Sequence, residues 1–351
     1  MGIPATTTRR DVPVIGFIAH VDTSPEMSGA GVKPIVHRKY DGRDIVLPDD
    51  PSAVLRPRDS PYLRESVGQD LVTASGTTLL GADNKAGVAE IVTAAEYLLA
   101  HPKIPHGAIR IGFTPDEEVG QGTRYFDVGR FGATYAYTMD GGERGEFEFE
   151  TFSADAMLIT FRGFNTHPGF AKGRMVNAIK LAARFVAALP SDRLSPETTD
   201  GRDGFVHPYV VQASVDQTMV KVLIRDFVTA ELKIKEAWLE GLARETVAGL
   251  DGASVECVVE ESYRNMREII DQHPLVVERA REGFGRAGVR VHERAIRGGT
   301  DGSRLSFMGL PTPNVFAGEQ NFHSRLEWVS VQDMEKAVEV IVQIAAAWER
   351  G

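Results

Sequence analysis

The chain has 351 residues, is 42% hydrophobic and 25% charged, and carries a formal net charge of -10. That length exceeds one ordinary core and predicts two domains, while the acidic balance speaks against nucleic acid or an anionic membrane as partner. No apolar run approaches the roughly 20 residues of a membrane span, residues 1–12 hold no apolar signal core, and the single cysteine, Cys257, can form no intrachain disulfide, so a cytoplasmic protein is expected.

Residues 12–19 form a continuous apolar run and predict a strand buried on both faces. Residues 23–70 are rich in Pro, Gly, Asp and Ser and predict long loops with short strands. Helical spacing of Val88, Ile91, Val92, Ala95, Leu98 and Leu99 predicts a helix over 85–100. Short strands are expected at 108–113 and 134–138. After about residue 152 come strands at 157–161, 219–227 and 254–259, with helices at 176–189 and 230–250, a pattern for a compact α+β insert. Beyond residue 274, helices at 275–287 and 331–348 flank a short strand ending at 314–316. The expected fold is α/β. A catalytic domain built on a mostly parallel sheet flanked by helices (1–152 and 265–351) would carry an inserted smaller α+β domain (153–264).

The predicted strands run repeatedly into acidic residues or histidine. The first ends at His20-Val21-Asp22, the second at Asp116-Glu117-Glu118, the third at Asp140, and the last leads to His323; Asp83 stands just before a helix. Ligands in open α/β sheets collect at the carboxyl ends of strands. Two histidines and several carboxylates at one edge have the chemistry of a two-metal site. Zinc takes imidazole nitrogen and carboxylate oxygen, and two ions roughly 3.5–4 Å apart need a bridging ligand, which a carboxylate can be. His20 and Asp22 stand at i and i+2, so Asp22 is expected to hold the second ring nitrogen of His20. Glu117 and Glu118 are adjacent and diverge, leaving one free as a general base. Singly, His-x-Asp, Asp-Glu-Glu and Asp-Gly-Gly are common in surface turns and helix starts. Their joint position at strand ends points to a metal-dependent hydrolase. His37, His101, His106, His273 and His292 read as loop or helix-edge residues, and Cys257 reads as a small apolar residue of a strand.

Six segments carry a more specific likeness: 16–25 (Gly-Phe-Ile-Ala-His-Val-Asp-Thr-Ser-Pro), 79–87, 113–120, Asn165-Thr166-His167-Pro168-Gly169, Ile224-Arg225-Asp226-Phe227 and 297–302 (Arg-Gly-Gly-Thr-Asp-Gly). In these the sequence resembles the peptidase T branch of the zinc peptidase family that includes carboxypeptidase G and aminoacylase. The resemblance implies a di-zinc aminopeptidase that removes the N-terminal residue of tripeptides. His20, Asp83 and Asp140 would bind one zinc, and Asp83, Glu118 and His323 the other, with Asp83 as the bridge. Glu117 would be the general base and Asp22 the supporting carboxylate beside His20. His167 and Arg225, in an inserted lid domain, would contact the substrate's carbonyl oxygen or C-terminal carboxylate. Cobalt or manganese can occupy such ligand sets as well. The expected partner is a short peptide, with no nucleic acid and no membrane.

Two departures from the family pattern stand out. Relatives carry a further helix and strand before the first metal-binding strand, where about a dozen residues stand here; loss of that layer would expose apolar surface. Asn84 takes a place where relatives often have Asp. Two other readings follow: a related dipeptidase or deacylase of the same family, and an inactive truncated paralogue. The second is disfavoured because every expected ligand and Glu117 are present.

Overall fold

The computed structural model describes residues 1–350. The chain divides into two units, one of Met1–Glu150, Met266–Ala295 and the residues from Thr300 on, the other of Thr151–Asn265 with Ile296–Gly299.

The first unit is built on a sheet of seven strands among the described residues. Their order is Gly2–Ile3, Ile109–Thr114, Ile15–His20, Tyr135–Gly141, Asn314–Phe316, Glu146–Thr151 and His292–Ile296. The middle four run parallel, and antiparallel strands flank them on either side. Every residue of Ile15–His20 is buried, which is why the sequence there shows no alternation. Successive side chains face opposite layers. Phe17 stacks 5.7 Å from Tyr137, whose hydroxyl donates to the Val276 carbonyl and accepts from Trp348 Nε1, so this face meets the helices Pro274–Arg286 and Val331–Arg350. Ile18 and Ala136 turn the other way, onto Leu305 of the helix Asp301–Phe307 and onto Leu310.

The helix Ala82–Ala100 packs against the strands Ile15–His20 and Tyr135–Gly141. Its approach is close at Gly87, where a Cβ would lie 2.1 Å from the Met139 carbonyl oxygen. Residues 23–70 carry only short elements, as expected. They fold over a core of their own, with Tyr40, Leu47, Leu55, Leu63 and Leu71 packed around Trp328. A small antiparallel sheet joins Glu319–Gln320, Trp328–Ser330, Leu71–Thr73 and Ile35–His37. No helix among the described residues is long and apolar enough to cross a membrane.

The second unit is α+β. Its antiparallel sheet runs Phe205–Ala213, Gln217–Asp226, Ser153–Arg162, Ser254–Tyr263. The helices Ala178–Ala187 and Thr229–Val247 close one face over Ile159, Phe161, Phe185, Val222, Leu232 and Leu239. Asn177 caps the first helix by accepting from the Ile179 amide at 2.9 Å. The strand Phe205–Ala213 was not expected from sequence. Pro208 interrupts its pattern, and the register shifts between Pro208 and Val210; the strand stands at the sheet edge, where proline is tolerated.

Candidate metal centre

The parallel register brings the strand tips together. Ile18 pairs with Thr138 and His20 with Thr114, so His20, the 116–118 loop and Asp140 leave the sheet at one edge. Asp83 enters from the start of the helix Ala82–Ala100, whose first turn is broken: Asp83 and Asn84 have non-helical backbone angles and the peptide between them is cis. His323 enters from the loop that follows Glu319–Gln320. Asp116 and His323 both hold left-handed backbone, at φ 60° and 59°. Such conformations in non-glycine residues gather where the fold aims side chains at a functional site.

Asp83 is the centre of the arrangement. Its Oδ1 lies 2.9 Å from His20 Nε2, which is also 3.3 Å from Asp140 Oδ1. Its Oδ2 lies 3.1 Å from His323 Nε2, which is also 2.9 Å from Glu118 Oε2. The two oxygens of one carboxylate are thus divided between two imidazole–carboxylate triads. His20 is 3% exposed. Burial works against charge on its ring, but Asp140 and Asp83 outweigh that and push it up to about 12. Burial likewise raises Asp83, yet hydrogen bonds to His20 and His323 bring it down to about 2. Asp140 is raised, by burial first and then by Asp83 and Glu118 against the pull of His20. Asn84 Nδ2 donates to Asp140 Oδ1.

Glu117 and Glu118 part as the sequence predicts. Glu118 reaches His323, while Glu117 lies among Asp140, Asp301, His20 and Asp83. With protein charges alone, burial and the neighbouring Asp140, Asp301 and Asp83 carboxylates push Glu117 up to about 9. Asp301, at the start of its helix, is itself raised to about 6 by burial and by Asp140.

Asp22 differs from the expected arrangement. Its Oδ1 lies 3.3 Å from His20 Nδ1, but that ring nitrogen has no hydrogen-bond partner among the described residues. The carboxylate instead accepts from the backbone amides of Glu117 and Glu118, at 3.2 and 3.1 Å. It therefore orients the 116–118 loop and stands beside His20 without forming the bond. His167 and Arg225 both belong to the second unit. His167 Nδ1 accepts from the Gly169 amide at 3.2 Å, so the proton of a neutral ring sits on Nε2. Arg225 lies over the Phe205 ring and donates through Nη1 to the Arg297 carbonyl at 3.2 Å. Its Nε is buried without a partner among the described residues.

Two carboxylates of this region were not read from the sequence. Glu327 is 1% exposed and accepts from the amides of Leu80, Gly81 and Asp83 at 2.6, 2.8 and 3.0 Å. It fixes the turn that presents Asp83, in which Gly81 takes φ 82°. Glu319 is 2% exposed and groups with Asp83 and Asp140. Neither has a motif around it; only the strand partner of 319–320 brings them in. Glu327→Ala would leave three amide donors unpaired, each worth about 1–3 kcal/mol when buried. The expected result is a melting point clearly below wild type together with weaker metal uptake, read by thermal unfolding and metal titration.

The donor set fits metal ions. Five carboxylates (Asp83, Glu117, Glu118, Asp140 and Glu319) face two imidazoles, and bound cations would offset such an excess of acidic groups in a buried pocket. Glu118 Oε1 and Asn84 Oδ1 are buried acceptors without partners among the described residues. His20, Asp83 and Glu118 can hold one ion, as can Asp83, Asp140 and Glu319. Among the other histidines, His37 bonds Thr73, His101 the Tyr97 carbonyl and His106 the Gly107 carbonyl.

Residues 78–347 match the family described as peptidase family M20/M25/M40. Peptidase T of Geobacillus thermodenitrificans is 47% identical over 348 residues, 99% of this chain and 84% of that protein. The crystal structure of aminopeptidase PepT from Bacillus cereus superposes with a TM-score of 0.76 at 25% identity, over 99% of this chain and 83% of that one. That of a tripeptidase from Staphylococcus aureus gives a TM-score of 0.78 at 21% identity, over 100% and 84%. By these matches the chain belongs to peptidase family M20/M25/M40, in its peptidase T group.

Proposed function

We propose that the chain is a metal-dependent aminopeptidase that removes the N-terminal residue from tripeptides, holding two divalent ions, with zinc the expected metal and cobalt or manganese accepted by the same donor types. It would work in peptide catabolism in the cytoplasm. The observation that carries this reading is the division of Asp83 between the two triads. His20, Asp83 and Asp140 would hold one ion, and Asp83, Glu118 and His323 the other. Such a pair lowers the pKa of a bound water towards neutrality.

The remaining work falls to the chain's own groups. Glu117 is free of both imidazoles and would take the proton of the attacking water, then deliver it to the leaving amine. Asp22 holds the backbone of Glu117 and Glu118 in place and so orients base and ligand together. We assign the second unit the role of a lid domain. There the Nε2–H of His167 would donate to the oxyanion that develops on the scissile carbonyl, and Arg225 would bind the peptide's C-terminal carboxylate.

A panel of tripeptides, dipeptides and N-acyl amino acids tests the substrate class. Tripeptides are expected to be the best substrates; preferred cleavage of dipeptides or acyl amino acids would make this a different amide hydrolase of the family. Arg225→Ala is expected to raise KM for tripeptides with a free carboxylate by about tenfold or more, the scale of a charge-assisted pair. Amidated tripeptides should be nearly unaffected, and equal effects on both would remove the carboxylate contact.

A further inference from the structure

One carboxyl beside the two triads has no part in the reaction proposed above. Glu319 sits on the short strand Glu319–Gln320, is 2% exposed, and has its Oε1 without a partner among the described residues. One oxygen of Glu319, one of Asp83 and one of Asp140 all lie within 4.8 Å of each other. The groups that bear on it most strongly, Asp83, Asp140, Glu90 and Glu327, are all acidic. A carboxylate held in such company without a cation is unfavourable.

We propose that Glu319 is a further metal ligand on the His20–Asp83–Asp140 side, an inference that rests on the two-metal reading above. The two positions then differ in kind. His323, Asp83 and Glu118 offer one nitrogen and two oxygens, the three-ligand set of a catalytic zinc. His20, Asp83, Asp140 and Glu319 offer one nitrogen and three oxygens. Carboxylate-rich sets with more ligands suit ions such as Mn2+ that accept higher coordination numbers. The His20 side therefore favours Mn2+, relative to Zn2+, more than the His323 side does.

The test is calorimetric titration of Mn2+ and of Zn2+ into the chelator-treated full chain, for wild type, Glu319→Gln and Glu319→Ala. Metal-free melting points are recorded alongside. Glu319→Gln keeps the side-chain shape and removes an acid that has little to lose in partners, so the metal-free melting point is expected not to fall. Wild type is expected to take up two ions. In both variants one Mn2+ event should weaken by at least about tenfold, the lower end of what outer partners alone contribute. The other event should stay unchanged, and Zn2+ should weaken less than Mn2+. Two Mn2+ events with wild-type affinity in both variants would make Glu319 a buried protonated acid and overturn the proposal, leaving the two-metal reading intact. A wild type that takes up fewer than two ions would overturn that reading and this proposal with it.

Discussion

Asp83→Ala is expected to abolish uptake of both metal ions at once, whereas His20→Ala and His323→Ala should each weaken one. The reason is the geometry of a single carboxylate. Oδ1 serves the triad of His20 and Asp140, Oδ2 that of His323 and Glu118. Asp83 is the side chain that contacts both imidazoles. Loss of an outer-shell partner alone costs about 10–100-fold in metal affinity, so loss of a ligand to both ions should exceed about 100-fold for each. Asp83→Asn sharpens the test. The amide keeps one oxygen and replaces the other with a donor that cannot bind a cation, so this variant should hold at most one ion tightly. Calorimetry or elemental analysis after gel filtration reads the outcome. Two tightly held ions in Asp83→Asn would mean that the triads do not share their bridge.

Glu117→Ala is expected to keep both ions and lose turnover. Of the adjacent pair we assign the ligand role to Glu118, which lies 2.9 Å from His323, whereas Glu117 pairs with neither imidazole. Removing a general base costs about 100- to 10,000-fold. The loss should fall on kcat with little change in KM, because the proton moves only in the transition state. Loss of metal in Glu117→Ala, with metal kept in Glu118→Ala, would reverse the two assignments.

Much of this site was legible because parallel strands deliver their ends to one edge. His20, Glu117, Glu118 and Asp140 each close or follow an apolar strand, and the register aligns those strands. The break at Asp83 and Asn84 was not legible. The helical spacing from Val88 on sets the helix, but the turn before it is shaped by Glu327, more than 240 residues later in the chain. Asp22 stands 3.3 Å from His20 Nδ1, and its oxygens also accept from two backbone amides of the 116–118 loop, a partnership no local pattern shows. Glu319 and Glu327 escaped notice because a lone glutamate in a short connecting segment looks solvated until its neighbours are known.

The strand Glu146–Thr151 shows a related difficulty. Its alternation of Glu and Phe resembles a half-exposed strand, and its carboxylates resemble a wet face. In the folded chain Glu146 pairs with Arg294, and Glu148, raised to about 8 by burial, accepts from Asn314 Nδ2 at 2.7 Å. The α+β character of the second unit followed from its spacing of helices and strands, while Pro208 hid the edge strand that completes its sheet.

The most direct test of the two-metal aminopeptidase is cleavage of an unblocked tripeptide by the metal-loaded chain, beside an N-acetylated copy and a chelated sample. Release of the N-terminal residue from the free-amine peptide alone, abolished by chelator and restored by divalent metal, is the expected result. Equal cleavage of the acetylated peptide, or cleavage that survives chelation, would contradict it.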